Sequence, residues 1–389
     1  MNQDDAPSQR HVALIMTGGG ARVAYQVGVL RALTELLPAR RSCPFPIICG
    51  TSAGAVNAAV LAVDADNFRR GVRRLMTVWK NIHVDHVYRA DPYGALGNSA
   101  RWIWSVLTRG AFADKPVSLL DNSPLASLIT RYLDFAAIQR NVDAGHLAAF
   151  SVTCSGYTSG QSVTFYQSHP GVGNWTRARR IGLSMPIDRG HLLASSALPF
   201  IFPPVRINRE FFGDGSMRQI APLSPALHLG ADKLLVIGVG RQLAPHMERA
   251  VTSGSPSLAQ IAGHALNSIF LDSLEVDLER LQRINRTLEI IPQAILDSAR
   301  YPLRHVEFRV ISPSEDLEKI ALAHVNELPR TIRTLLATIG GLKRNGSTLL
   351  SYLLFERGYC RALIRLGYKD TMSRRSDILA FLENGTAVV

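Results

Sequence analysis

A serine with a glycine two residues before it and another two residues after it, Gly50-Thr51-Ser52-Ala53-Gly54, is the most chemically suggestive stretch of this 389-residue chain. A free hydroxyl is a weak nucleophile, and it attacks a carbonyl well only when a base stands within hydrogen-bond reach. Glycines at those two positions let the backbone bend sharply between a strand and a helix, which lifts the serine Oγ clear of the sheet. The flanking residues supply that context. Ile47-Ile48-Cys49 is a short apolar run with strand character, and the small residues from Ala53 onward read as the opening turns of a tightly packed helix. The amide end of such a helix favours the negative charge that develops on a substrate under attack.

A second corner precedes it. The buried strand Val12-Ala13-Leu14-Ile15-Met16 ends in Thr17-Gly18-Gly19-Gly20-Ala21-Arg22, and apolar residues at Val23, Val27, Leu30, Leu33 and Leu37 follow at helical spacing. Successive glycines leave backbone N–H groups unobstructed, so Gly18, Gly19 and Gly20 can form a nest around an oxyanion or a phosphate. A dinucleotide loop would need glycine where Val23 stands, and no P-loop lysine follows. Two strand-turn-helix corners this close imply neighbouring parallel strands whose carboxyl ends share one edge of a sheet. The first corner then offers an oxyanion hole and the second a nucleophile.

The remaining segments read as further layers around these corners. Asp64 is placed to cap a helix reaching about Ile82, with Phe68, Val72, Leu75, Met76 and Trp79 on one face and Arg69, Arg70, Arg73 and Arg74 on the other. The stretch 88–115 is rich in Gly, Ala and aromatics. Trp102 and Trp104, beside Arg101 and Arg109, fit packing under a loop or a cap at a lipid interface. Ser123-Pro124 opens a helix, and 148–155 with 161–167 form a hairpin about Tyr157-Thr158-Ser159-Gly160. Asp214-Gly215-Ser216 follows aromatic strand residues, where Asp-Gly taken alone reads as a hairpin turn. Residues 233–240 form another buried strand. The stretch 257–288 is one long amphipathic helix with Leu266, Phe270, Leu274, Leu278, Leu281, Ile284 and Leu288 facing one way. After a strand at 305–312 the chain is helical, with breaks at Gly340-Gly341 and Asn345-Gly346.

Composition narrows the class. A hydrophobic share of 47% with 19% charged residues describes a globular chain with a substantial core. The formal charge of +12 is carried by thirty-seven arginines and six lysines, which suits an anionic partner such as a phospholipid surface or nucleic acid. No RNA- or DNA-recognition motif accompanies the arginines, so nucleic acid is not the expected partner. The four cysteines form neither a CxxC nor a Cys/His cluster, which points away from zinc and from a disulfide scaffold and toward a reducing compartment. The polar amino terminus shows no signal peptide and no stretch reads as a membrane span, so a cytoplasmic location with peripheral membrane contact is expected.

Three separated blocks, Gly18-Gly19-Gly20-Ala21-Arg22, Gly50-Thr51-Ser52-Ala53-Gly54 and Asp214-Gly215-Ser216, with Ala194-Ser195-Ser196-Ala197-Leu198-Pro199 before the last, resemble the patatin-like phospholipases in order and spacing. The resemblance covers roughly residues 11 to 240. It implies a three-layer α/β fold, with a mainly parallel central sheet flanked by helices and a helical C-terminal extension. The expected parts are a flexible 1–10, a catalytic domain over 11–315 and the extension over 316–389. It further implies a serine/aspartate dyad with Ser52 as nucleophile and Asp214 as base, the amides of Gly18 to Gly20 as oxyanion hole, and Arg22, Gly50, Gly54 and Gly215 as supporting positions. The implied reaction is hydrolysis of phospholipid or neutral-lipid esters through an acyl-enzyme, with no metal and no other cofactor. Val23, where the family commonly has glycine, and Ser216, where Gly or Ala is usual, depart from the pattern. Phe200, Phe202, Phe211 and Phe212 are expected to dry the surroundings of Asp214 and raise its pKa. Two alternatives stand beside this reading. One is a Ser-His-Asp esterase using His191 or His264, of which only His264 fits the chain order of the α/β hydrolases. The other is a silent, basic lipid-surface scaffold, which burial of Ser52 would favour.

Overall fold

The computed structural model describes residues 11–38, 42–89, 118–241, 255–292, 295–296 and 304–383. The expectations for 1–10, for Trp102 and Trp104 and for the last six residues lie outside them. Apolar runs with no polar alternation become strands covered on both faces. Strand β1 (Val12–Met16) and strand β2 (Ile47–Thr51) are buried at every residue. Helix α1 (Ala24–Leu36) follows β1 after a 3₁₀ turn, and helix α2 (Ala53–Val63) follows β2 directly. The two strands pair in parallel, Ala13 beside Ile47 and Met16 beside Gly50, so both corners open at the same sheet edge as their spacing predicts.

Helix α3 (Phe68–Lys80), α4 (Ser123–Tyr132) and α5 (Ala136–Asp143) lead to the hairpin of β3 (Ala149–Gly156) and β4 (Ser162–Ser168). Short strands β5 (Trp175–Arg177) and β6 (Arg180–Ser184), helix α6 (Arg189–Ser195) and a second hairpin, β7 (Val205–Ile207) with β8 (Glu210–Asp214), come next. Helix α7 (Ser224–His228), strand β9 (Lys233–Ile237) and strand β10 (Glu307–Ile311) complete the sheet. Its order is β10-β9-β1-β2-β3-β4-β6-β5. The five strands β10, β9, β1, β2 and β3 are mutually parallel, which is the mainly parallel centre the resemblance implies. Strand β2 last pairs with β3 at Thr51–Thr153, whereas β8 begins its antiparallel pairing with β3 one residue later, at Cys154–Asp214. Because β4 holds the other side of β3 as far as Ser155, β8 takes the place β2 vacates. Asp214 is thereby delivered beside the turn that carries Ser52.

Two sequence expectations are corrected here. Asp64 does not cap α3; Asn67 does, accepting from the Arg70 N–H at 3.0 Å, while the buried Asp64 ends α2 and pairs with Arg70 and Arg74. A buried carboxylate needs cations more than it needs a helix end. The long helix after residue 257 runs as α8 (Leu258–Asn267), a π turn (Ser268–Asp272) and α9 (Ser273–Ile290). The expected stripe holds at Leu266, Phe270, Leu274, Leu278, Leu281 and Leu288 on both sides of that turn, but Asn285 is buried in place of Ile284, which is 50% exposed. Asn285 is satisfied by both backbone groups of Val306. Helices α10 (Leu317–Ala323), α11 (Arg330–Thr338), α12 (Ser347–Leu353), α13 (Arg357–Ser373) and α14 (Arg375–Glu383) follow, with interruptions near Gly340 and Gly346 as expected. Helix α13 lies against α1 so closely that a Cβ on Gly28 would stand 2.0 Å from the Ile364 carbonyl oxygen.

Candidate active site

Ser52 adopts φ 55° and ψ −135°, a left-handed conformation that an L-residue holds only when its neighbours enforce it. Its N–H donates to Ser195 Oγ at 2.8 Å, and Ser195 Oγ in turn donates to the Thr153 carbonyl at 2.6 Å. The strained turn is thus tied to β3 through α6. Ser195 lies in a block that the sequence singles out, yet its role depends on two distant partners and cannot be read from spacing. Gly50 and Gly54 permit the close seating of α2. A Cβ on Gly50 would meet Ala55 Cα at 2.5 Å, and one on Gly54 would meet the Thr17 carbonyl oxygen at 2.4 Å.

The Ser52 Oγ donates to Asp214 Oδ2 at 2.6 Å, and Asp214 Oδ1 accepts from the Ser216 N–H at 2.9 Å. Asp214 is 1% exposed, and burial raises its pKa to about 6 against the pull of those hydrogen bonds. Of the four phenylalanines expected to dry this carboxyl, Phe202 and Phe212 are buried, but Phe200 is 77% exposed and Phe211 39%. The apolar wall is completed instead by Leu198, Phe270 and Tyr352. Phe270 comes from the π turn and Tyr352 from α12, and their rings stack at 5.1 Å. Gly215 sits where a Cβ would strike the Thr153 carbonyl oxygen, which keeps the Asp214 turn pressed on β3.

Neither histidine of the triad alternative accompanies Ser52. His191 is buried on α6 with its Nδ1 2.7 Å from Asp188 and its ring edge-on to Phe165. His264 is exposed on α8. Both histidines therefore belong to other surroundings, and the hydroxyl's side-chain partner is a carboxylate.

The Gly18–Gly20 turn lies against this pair, since a Cβ on Gly18 would stand 2.8 Å from Ser52 Cβ and 2.6 Å from Ser216 Oγ. Gly20 has φ 54° and passes close under the Tyr352 carbonyl. Among the described residues none accepts a hydrogen bond from the Gly18, Gly19 or Gly20 amide. Val23 replaces the expected glycine without strain: it is helical and buried, and its carbonyl accepts from Asn57. Arg22 is 3% exposed and engages the C-terminal helices. Its Nε donates to Ser351 Oγ at 2.7 Å, its Nη2 to Glu318 at 3.1 Å, and its guanidinium lies 4.1 Å above the Tyr352 ring. Among the described residues no group of three His, Cys, Asp or Glu side chains is arranged to hold a metal ion.

Ser52 is 4% exposed, yet it is not sealed. It lines an apolar pocket of about 1030 Å³, counting the part that opens to solvent, together with Asp214, Gly20 and residues of α2, α3, α4 and α12. Such a site can hold a long apolar group beside a hydroxyl-carboxylate pair and a bare row of amides.

The Patatin-like phospholipase family model matches residues 14–227, more than half of the chain. Lysophospholipase nte1 of Aspergillus terreus is 51% identical over 57 residues, 15% of this chain and 3% of that protein. Lysophospholipase nte1 of Aspergillus oryzae is 36% identical over 90 residues, 22% of this chain and 6% of that protein. The chain thus spans only a small part of the length of these relatives. Among solved structures, VipD from Legionella pneumophila has a TM-score of 0.35 at 14% identity, covering 96% of this chain and 67% of that one. Human GIVD cytosolic phospholipase A2 in complex with methyl gamma-linolenyl fluorophosphonate has a TM-score of 0.42 at 13% identity, covering 97% and 59%.

Proposed function

The chain belongs to the patatin-like phospholipase family, and on that premise we propose that it is a serine lipid acyl hydrolase in which Ser52 and Asp214 act as a dyad. The observation that carries the reading is the 2.6 Å hydrogen bond from Ser52 Oγ to a carboxylate whose pKa burial has raised to about 6. In the cycle, Asp214 takes the Ser52 proton as Oγ attacks the acyl carbonyl, and the Gly18–Gly20 amides hold the developing oxyanion. Collapse of the tetrahedral intermediate expels the alcohol, which receives the proton from Asp214, and leaves an ester of Ser52. Water, deprotonated by Asp214, then attacks the ester carbonyl; the bond to Ser52 Oγ breaks, Asp214 returns the proton to Oγ, and the fatty acid leaves. The strained, pinned turn at Ser52 supports this reading because it fixes the nucleophile before substrate arrives.

Burial of Ser52 is the feature that would favour the scaffold alternative, and Ser52 is buried, but its place on the wall of a pocket that opens to solvent supports the catalytic reading. Approach to a lipid surface is supported by the net charge of +12 and by the exposed Phe200, which sits on the same segment as the pocket-lining Phe202. Among the described residues no helix is long and apolar enough to cross a membrane. The division at 315/316 is proposed as one of sequence only, because Tyr352, Leu353 and Phe355 line the pocket. The test is a hydrolysis panel of phospholipid, lysophospholipid and triacylglycerol with the native protein beside Ser52→Ala. Fatty acid release from at least one lipid, lost at least about a thousandfold in Ser52→Ala, is expected. Equal release by both proteins would overturn the assignment.

A further inference from the structure

Helix α2 has the nucleophile at one end and a charged cluster at the other. Ser52 is its N-cap and Asp64 its C-cap. Ala53, Val56 and Val60 form one stripe along it, and all three line the apolar pocket. Leu75 on α3 and Leu125 and Leu128 on α4 line the same pocket, which therefore runs beside α2 from Ser52 at least as far as Val60. Arg74 also lines the pocket, and its ion pair with Asp64 puts it at the end of α2 away from Ser52. This guanidinium lies 3.3 Å from Asp64 Oδ2 and donates to the Tyr132 carbonyl, the last residue of α4, at 3.3 Å. Its side chain is 32% exposed, so the pocket is charged and partly wet at that end.

We propose that this channel is a ruler for the acyl chain: it accepts straight chains of about ten to fourteen carbons, and Arg74 with Tyr132 forms its stop. The inference rests on the reading of Ser52 as the acylated residue. The length follows from helix geometry, since at ~1.5 Å rise per residue Val60 lies about 12 Å and Asp64 about 18 Å beyond Ser52. An extended hydrocarbon advances ~1.25 Å per carbon, given C–C bonds of about 1.5 Å at near-tetrahedral angles. Each methylene that enters the apolar part leaves water and favours binding by roughly two- to fourfold. Carbons beyond the stop meet a solvated cation and gain nothing.

The experiment measures kcat/KM for p-nitrophenyl esters from C4 to C16 in the native protein, Ser52→Ala, Leu128→Trp and Arg74→Leu. Leu128→Trp narrows the channel one turn before its end. Arg74→Leu extends its apolar part and leaves Asp64 paired with Arg70. In the native protein kcat/KM climbs from C4 and stops climbing between C10 and C14. The C12-to-C4 ratio falls at least about tenfold in Leu128→Trp, and the C16-to-C12 ratio rises at least about threefold in Arg74→Leu. Each ratio is taken within one protein, so a smaller folded fraction cancels, and comparison across proteins cancels the physical state of the longer esters. A native profile that is flat or still rising at C16, or ratios that do not move in the variant that folds, would overturn the ruler. Turnover retained in Ser52→Ala would instead bring down the underlying assignment of the nucleophile.

Discussion

A carboxylic acid in water releases its proton near pH 4 and its carboxylate makes a poor base at neutral pH, and what alters this for Asp214 is burial. Hydrogen bonds from Ser52 Oγ and from the N–H and the side chain of Ser216 pull the pKa down, but loss of solvent outweighs them and leaves it at about 6. In the proposed dyad Asp214 must be ionised to accept the Ser52 proton, so with the raised pKa activity is expected to be full above about pH 7 and lost as pH falls through 6. We expect kcat/KM for a neutral ester to be half-maximal near pH 6 and about tenfold below its plateau at pH 5, measured from pH 4.5 to 8.5. A profile flat down to pH 4.5 would mean that another group is the base. Ser52 was readable from sequence because everything its role needs lies within a few residues: two glycines, a strand before and a helix after. Asp214 was not readable in that way. It stands 162 residues from its partner and its Asp-Gly pair has the form of an ordinary turn; the order of elements around it fits the sheet edge of Ser52, but its role as base came from the resemblance. Ser195 is a stronger case, because its hydrogen bonds exist only once α6, β2 and β3 have met.

Among the elements, the two strand-turn-helix corners do most to build the site. Each follows from local chemistry, an apolar run ending in residues small enough for the backbone to turn, and both corners were legible. What the sequence left out is how tightly they meet. Gly18 has no room for a side chain, with Ser216 Oγ, Phe270 and Ser52 Cβ all within 2.8 Å of where a Cβ would be. Gly18→Ala must therefore displace the amide row, the Ser52 turn or both. A loss of about 10²–10³ in kcat is expected, the usual effect of removing an oxyanion donor, with much less change in KM. Steady-state kinetics on the most rapidly cleaved ester would check it, and an unaltered kcat would place the oxyanion elsewhere. The capping of α3 and the π turn were misread for a shared reason. Asp64 is drawn to arginines from α3, and the turn at 268–272 carries Phe270, which stacks on Tyr352 of α12, a neighbour that periodicity cannot see.

Across the whole molecule, the recognisable motifs end near residue 216 but the site does not. Arg22, inside the glycine motif, is held by Ser351, Glu318 and the ring of Tyr352, while Tyr352 also passes over Gly20 and walls the pocket. The helices after 316 looked like an appendage because helical periodicity reports a buried face without naming what it is buried against. Part of the arginine surplus is likewise structural, as Arg22, Arg70 and Arg74 show, and composition alone could not separate those from arginines free to meet an anionic surface. The proposed activity rests on one hydroxyl made reactive by one buried carboxylate. Intact-mass and peptide mapping after treatment with an alkyl fluorophosphonate tests it most directly, with the native protein and Asp214→Asn followed in parallel. One adduct on Ser52, forming at least about a hundredfold more slowly in Asp214→Asn, is the predicted result. An adduct on another residue, no adduct, or equal rates in the two proteins would contradict it.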